Sequence, residues 1–262
     1  MTRVLSAVVL LVVVIGTVWY LPPVATLVLA TAVSAAAFYE YAELSAALGA
    51  RIPRVVCAAA VVAVCILVGL GAPVVIALLS ALVIVGALAV AGGRPGPDVL
   101  LNAAAAILPL VYIGVPLGAL AQIRSAAGRD AVLLLAVVII VSDSAQYYTG
   151  RALGRRPLAP AISPKKTVEG AIGGMIVATA AFAIGGHWQF PSTSIPVLVL
   201  GGAVLAAVGI VGDLFESLLK RSAGVKDSSQ LIPGHGGVLD RIDSWLFAAP
   251  VFYVFINYAV SL

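Results

Sequence analysis

This chain has little charge and few aromatics. Only 10% of its 262 residues are Asp, Glu, Lys or Arg, 7% are aromatic, and there are two cysteines and two histidines. A soluble domain carries about 25% charged residues, so an ordinary water-soluble globule is excluded. The net charge of +4 does not point to nucleic acid, because the basic residues sit in loops between apolar runs. Cys57 and Cys65 share one apolar run, with no Cys-x-x-Cys and no second Cys/His set. They read as packing residues, not as a disulfide or a zinc site. No G-x-x-x-x-G-K-[ST] occurs, which removes a P-loop ATPase. No internal repeat occurs either, which speaks against a transporter built from two related halves.

What fills the chain is apolar: 62% hydrophobic residues and a mean hydropathy of +1.15. A membrane-spanning helix needs about 20 apolar residues. The stretches 4–20, 24–47, 55–70, 73–91, 99–121, 131–149, 168–187, 194–219 and 244–261 meet or approach that length, separated by turn-forming breaks such as Pro22-Pro23 and Gly92-Gly93. The first stretch follows Arg3 and runs directly into the second with no small-residue cleavage site, so it reads as a retained span and not a signal peptide. With the N-terminus inside, nine spans place every Lys and Arg except Arg124 and Arg129 on the inner side, as the positive-inside rule requires. The expectation is an all-α, polytopic integral membrane protein with about nine transmembrane helices. It forms one membrane domain over 1–262: N-terminal helices in 1–130, a catalytic part in 131–262, the N-terminus cytoplasmic and the C-terminus outside. The segments 150–167 and 220–243 then both face the cytoplasm.

The charge that does exist is concentrated. Ser217 to Asp243 reads SLLKRSAGVKDSSQLIPGHGGVLDRID. Asp213, Glu216 or Ser217, and Lys220 recur at helical spacing along one stripe. Charge at membrane depth costs roughly 2.5–3.5 kcal/mol per group. The stripe is therefore either an ion pair pinning helices or part of a metal or phosphate site. Lys226-Asp227 and Pro233-Gly234-His235-Gly236-Gly237 follow, and glycines let backbone N–H groups approach a phosphate. His235 is either a solvent-exposed loop residue or a donor to phosphate. Asp240 and Asp243 share a helical face; they are either capping carboxylates or, with Asp213, ligands for a hard divalent cation. Asp143 lies at the end of a span. Lys165-Lys166, before Thr167, is either a retention signal or an anion site at a helix start.

These residues resemble the signature of the phosphatidate cytidylyltransferases, or CDP-diacylglycerol synthases. Its fixed positions are all present: Ser217, Lys220, Arg221, Lys226, Asp227, Ser229, Pro233, His235, Gly236, Gly237, Asp240, Arg241 and Asp243. Ser142-Asp143 through Ser163-Pro164-Lys165-Lys166-Thr167 and Glu169-Gly170 is similar to a second family block. Two departures stand in it: Ser144-Ala145-Gln146 where members often read Thr-Gly-Ala, and Val168 where members often have Trp. Neither removes a charged group.

The resemblance implies transfer of cytidylyl from CTP to phosphatidate, giving CDP-diacylglycerol and pyrophosphate, with Mg²⁺ and at the cytoplasmic end of a bundle in the inner membrane. It implies Asp213 and Asp240 as the principal metal ligands, with Asp143, Asp227 and Asp243 as further ligands or supports. Lys220, Arg221, Lys226 and Arg241 would clamp phosphates, completed by Ser163, Lys165, Lys166 and Ser217. His235 would bind phosphate or assist the departing pyrophosphate. A homodimer is implied, and room is left for a second, monovalent cation. Among other lipid-headgroup enzymes, the CDP-alcohol phosphotransferase pattern D-G-x-x-A-R is absent. A family member acting on an ether-linked lipid stays open, because acyl selectivity resides in apolar spans that look alike.

Overall fold

The computed structural model describes residues 2–93, 95–234 and 236–259. Each apolar stretch read from the sequence is helical over its described residues, save an end residue at Leu70, Pro73 and Ser194. The helices are α1 (Thr2–Tyr20), α2 (Pro23–Ala47), α3 (Arg54–Gly69), α4 (Val74–Gly92), α5 (Val99–Pro109), α6 (Val115–Ala126), α7 (Gly128–Leu153), α8 (Val168–Gln189), α9 (Ile195–Ser222) and α10 (Leu239–Val254). A π turn, Leu110–Gly114, joins α5 to α6, and another, Phe255–Ala259, extends α10. Among the described residues six helical runs are long and apolar enough to cross a membrane, and α3 and part of α1 are shorter apolar helices. Exposed apolar side chains such as Val75, Leu79 and Val83 line α4. Such a surface suits lipid, not water. The protein is a multi-pass membrane protein.

Prolines set several helix starts. Pro23 occupies the first helical positions of α2, where its missing N–H would be unsatisfied anyway. Pro53 and Pro73 precede α3 and α4. The α3 stop is equally local. Gly71 takes φ +88°, and the N–H groups of Gly71 and Ala72 return to Val68 O and Leu67 O at 3.0 and 2.9 Å. That left-handed closure satisfies the last carbonyls at little cost only for glycine.

The chain is nearly all-α, as expected, with one addition: Pro157–Ala159 (β1) and Ser163–Thr167 (β2) form an antiparallel hairpin, with Pro157 opposite Thr167 and Ala159 opposite Ser163. Pro157, Pro160 and Pro164 have no N–H and fix φ, which forbids a helix but is tolerated in a two-stranded ribbon. Ile162 N–H closes the turn on Ala159 O at 3.1 Å. Helix α7 also runs further than its apolar stretch, to Leu153, because no proline interrupts it before Pro157.

The chain forms two compact units, residues 1–125 with 219–242 and residues 126–218 with 243–262. In the first, α3 lies close to the α5–α6 run. A Cβ at Gly118 would fall 2.7 Å from Cys65 O and 2.8 Å from Val68 Cβ. Lipid gives apolar helices no reason to associate, so such close approach of small residues is what binds them. Tyr41 donates its buried hydroxyl to Ala105 O at 3.0 Å. In the second unit, α7 and α8 meet at Gly170, Gly173 and Gly174, where an added Cβ would collide with Gln146, Thr149 or Ser142. Phe182 packs edge-on to Phe252 and Phe255, with centroids 5.7 and 5.2 Å apart.

Candidate functional site

Two groups of polar residues stand out, one in each unit. In the second unit, α7 contributes Asp143, β2 contributes Lys166, α9 contributes Asp213 and α10 contributes Asp243. Lys166 Nζ pairs with Asp213 Oδ2, both about a quarter exposed. The hairpin positions that lysine. Thr167 caps α8, its Oγ1 accepting from Gly170 N–H at 3.1 Å, and Glu169 Oε2 accepts from the N–H groups of Arg155 and Arg156 at 2.9 and 3.2 Å. Asp143 Oδ1 accepts from Gln146 Nε2 at 3.2 Å. Asp243 Oδ1 accepts from Ser244 N–H at 2.6 Å. Burial, then the facing Asp213 carboxylate, push the Asp243 carboxyl up to about 7. Ser142, Asp143, Gly209 and Ser244 help line a cavity of about 10 Å³, room for roughly one water.

Three carboxylates against one lysine leave an excess of negative charge. Among the described residues no three His, Cys, Asp or Glu side chains close on one ion-binding point. That spacing does not exclude Mg²⁺, which commonly takes one or two carboxylates and completes its octahedron with waters and substrate phosphates. The all-oxygen donor set fits such a hard cation.

The first unit holds the other group. After α9 the chain turns at Gly224, φ +73°, and runs to α10 through a loop folded back at Ile232–Gly236, where Ile232 N–H donates to Gly236 O at 2.9 Å. Gly234 and Gly236 have φ of +78° and +79°, which L side chains resist. Asp240 reaches back into this loop. Its Oδ2 accepts from Gly237 N–H at 2.7 Å and from Ser228 N–H and Oγ at 3.0 Å. Its Oδ1 takes Lys220 Nζ, and these two side chains are 5% and 11% exposed. Burial opposes the Asp240 charge, but Lys220 and the Gly237 and Ser228 amides outweigh it and hold the carboxyl below its usual range.

Sequence reasoning missed one residue here. Glu40, on α2, is 0% exposed. Its two oxygens accept from Ser229 Oγ and Val238 N–H at 2.6 and 2.8 Å, and from Ser228 Oγ and Leu239 N–H at 2.8 and 2.7 Å. A signal existed: a carboxylate inside an apolar span is as costly as Asp213 is.

The remaining residues named from the sequence are dispersed. Lys165 is exposed on β2 and Ser163 half-buried. Ser217 is half-buried on α9, while Arg221, Lys226, Asp227 and Arg241 are exposed. Arg221 donates to Val225 O at 3.0 Å. His235 lies outside the described residues.

The sequence pattern of the Cytidylyltransferase family matches residues 1–259. The chain belongs to that family. A relative from Haemophilus influenzae named phosphatidate cytidylyltransferase is 49% identical over 129 residues, 47% of this chain and 45% of the relative. One of the same name from Helicobacter pylori is 38% identical over 179 residues, 68% of this chain and 64% of the relative. An uncharacterized Escherichia coli protein, YnbB, is 46% identical over 131 residues, 50% of this chain and 44% of its own length. The chain thus spans 44% to 64% of the length of these relatives.

Proposed function

We propose that this family member is a phosphatidate cytidylyltransferase that joins CTP to phosphatidate, making CDP-diacylglycerol and pyrophosphate. The observation that carries the reading is the meeting of Asp143, Asp213 and Asp243 with Lys166 in one unit of a membrane protein. The names of the relatives support it.

A phosphatidate phosphate oxygen attacks the α-phosphorus of CTP. The bond from that phosphorus to the bridging oxygen of the β-phosphate breaks, and the electron pair leaves with pyrophosphate. The nucleophile is already an anion, so no strong base is needed; the protein must position two polyanions and offset their repulsion. Asp213 holds Lys166 toward the acidic cluster, where its ammonium can meet a phosphate. Asp143, Asp213 and Asp243 would hold Mg²⁺, which when bound supplies charge neutralisation at the triphosphate. Asp240 and Asp227 are assigned to the metal by the family pattern alone. Lys220, Arg221, Lys226, Arg241, Lys165, Ser163, Ser217, Gly236, Gly237 and His235 are assigned to phosphates on the same ground.

The reading extends to topology. Nine helices would span the inner membrane, with the N-terminus and the reaction on the cytoplasmic side, where water-soluble CTP meets bilayer lipid. The lysine and arginine distribution supports this orientation. The protein would act as a homodimer. The deciding experiment incubates purified protein with labelled CTP, phosphatidate and Mg²⁺ and extracts the lipid. Label in the organic phase that requires both phosphatidate and Mg²⁺ is expected. Folded protein that transfers no label to phosphatidate would overturn the substrate assignment.

A further inference from the structure

We infer that Glu40 is a positioning residue: a buried latch by which α2 holds the 228–239 loop in the shape the reaction uses. The inference rests on the proposed reaction only for its consequence in turnover. The latch itself stands on geometry.

Two carboxylate oxygens offer about four lone-pair sites. Glu40 meets four donors, Ser228 Oγ, Ser229 Oγ, Val238 N–H and Leu239 N–H, at 2.6 to 2.8 Å. Two are hydroxyls from one end of the loop. Two are amides at its other end, at the start of α10, where helical N–H groups have no intrahelical partner and a negative charge is favoured. One side chain therefore ties both ends of the loop together. The segment between them contains Pro233, Gly234 and Gly236.

The loop is also shaped around this carboxylate. A Cβ at Gly237 would collide with Ser228 Oγ and with both Glu40 oxygens. Ser228 Oγ lies 2.8 Å from Glu40 Oε2 and 3.0 Å from Asp240 Oδ2. A hydroxyl has a single proton to donate, so Ser228 shares it between the two carboxylates and links their positions. A carboxylate is expensive to bury for helix packing alone, where an apolar side chain serves as well. Four well-formed bonds to one loop are what its burial accomplishes.

The test compares the full-length protein in detergent with its Glu40→Gln and Ser229→Ala variants, by amide hydrogen exchange and by turnover. In Glu40→Gln an NH₂ group replaces an acceptor and faces donors. Exchange at 228–239 should accelerate about ten-fold or more, on loss of hydrogen bonds to a charged group. The other helices should exchange as before, and the KM for CTP should rise or kcat fall at temperatures where the fold is intact; some loss of thermal midpoint accompanies it, since the carboxylate is buried. Ser229→Ala, which removes one donor, should give a smaller change of the same pattern. Glu43→Gln, on the same helix but exposed, should behave as wild type. Unchanged exchange at 228–239 in Glu40→Gln overturns the latch. If Glu40→Gln does not fold, Ser229→Ala decides: acceleration confined to the loop supports the latch, and none overturns it. Wild-type protein that makes no CDP-diacylglycerol would defeat the proposed reaction yet leave the exchange result standing, so the two failures are distinguishable.

Discussion

Consider replacing Asp240 by Asn. In the fold, the Asp240 carboxylate takes Lys220 on one oxygen and Ser228 and Gly237 on the other. The Lys220 and Asp240 side chains are only 11% and 5% exposed, so solvent does little to screen the pair. Removing one partner of a buried ion pair costs about 3–5 kcal/mol, most of it from the charge left behind. Asn also turns an NH₂ donor toward a donor. A protein of this length loses on the order of 10 °C in thermal midpoint for such a change. The assay is thermal unfolding in detergent of the single variant and of Asp240→Asn with Lys220→Met, which removes the cation that Asp240 holds. The double variant should recover most of the loss. A double variant as unstable as the single would refute the argument, because the deficit could not then lie in the ion pair. The pH dependence has a definite sign. The folded-state carboxyl sits below its ordinary range, so its contribution is present at neutral pH and is lost as pH falls through that depressed value. Turnover separates structure from chemistry. If activity returns with stability in the double variant, Asp240 is not a metal ligand.

Asp213→Asn removes the partner of Lys166 and a carboxylate from the acidic cluster. Mg²⁺-dependent turnover should fall on the order of a hundred-fold, and near-normal turnover would remove Asp213 from the metal set. Thr167→Ala deletes the α8 cap and should cost about 1 kcal/mol, read as a lower thermal midpoint; no change would mean that Gly170 N–H finds another acceptor. A cysteine placed in the 155–165 segment should react with an impermeant thiol reagent from the cytoplasmic side alone, and labelling from outside would reverse the topology.

The sequence made the helices legible because apolar length is a strong signal and the breaks are marked by proline and glycine. Helix ends were less legible. Asp240 lies inside α10, and α7 reaches Leu153, since Gly150 and Arg151 end the apolar stretch yet do not end the helix. The hairpin at 157–167 was hidden because Pro157, Pro160 and Pro164 announce only that a helix is forbidden. At the candidate site, the charged residues were found by the cost of charge in lipid. The same cost holds for Glu40, which is remote in sequence from everything it binds. In the sequence, Gly237 is a glycine that admits phosphate. The fold supplies another reason for it, the collision of any side chain with the Glu40 carboxylate.

The acids of this chain differ in how fully they are satisfied, and that difference bears on their work. Glu40 and Asp240 each meet four donors, from loop amides, serine hydroxyls and, for Asp240, a lysine. A carboxylate so largely engaged by its own fold gains little by exchanging those partners for a cation. Asp143, Asp213 and Asp243 are placed differently: Asp143 accepts from Gln146 Nε2, Asp213 from Lys166 Nζ and Asp243 from Ser244 N–H. Three negative groups raise one another's energy, and a single ammonium cannot offset all of them. Such an arrangement keeps all three groups ionised at neutral pH only with additional positive charge, which a divalent cation supplies and a polyphosphate can then share. The acids around Asp213 thus serve the ligand, and the pair Glu40 and Asp240 serves the shape of the loop. This moves Asp240 away from the metal role that the family pattern gives it, and the turnover of the double variant compared with that of Lys220→Met alone separates the two.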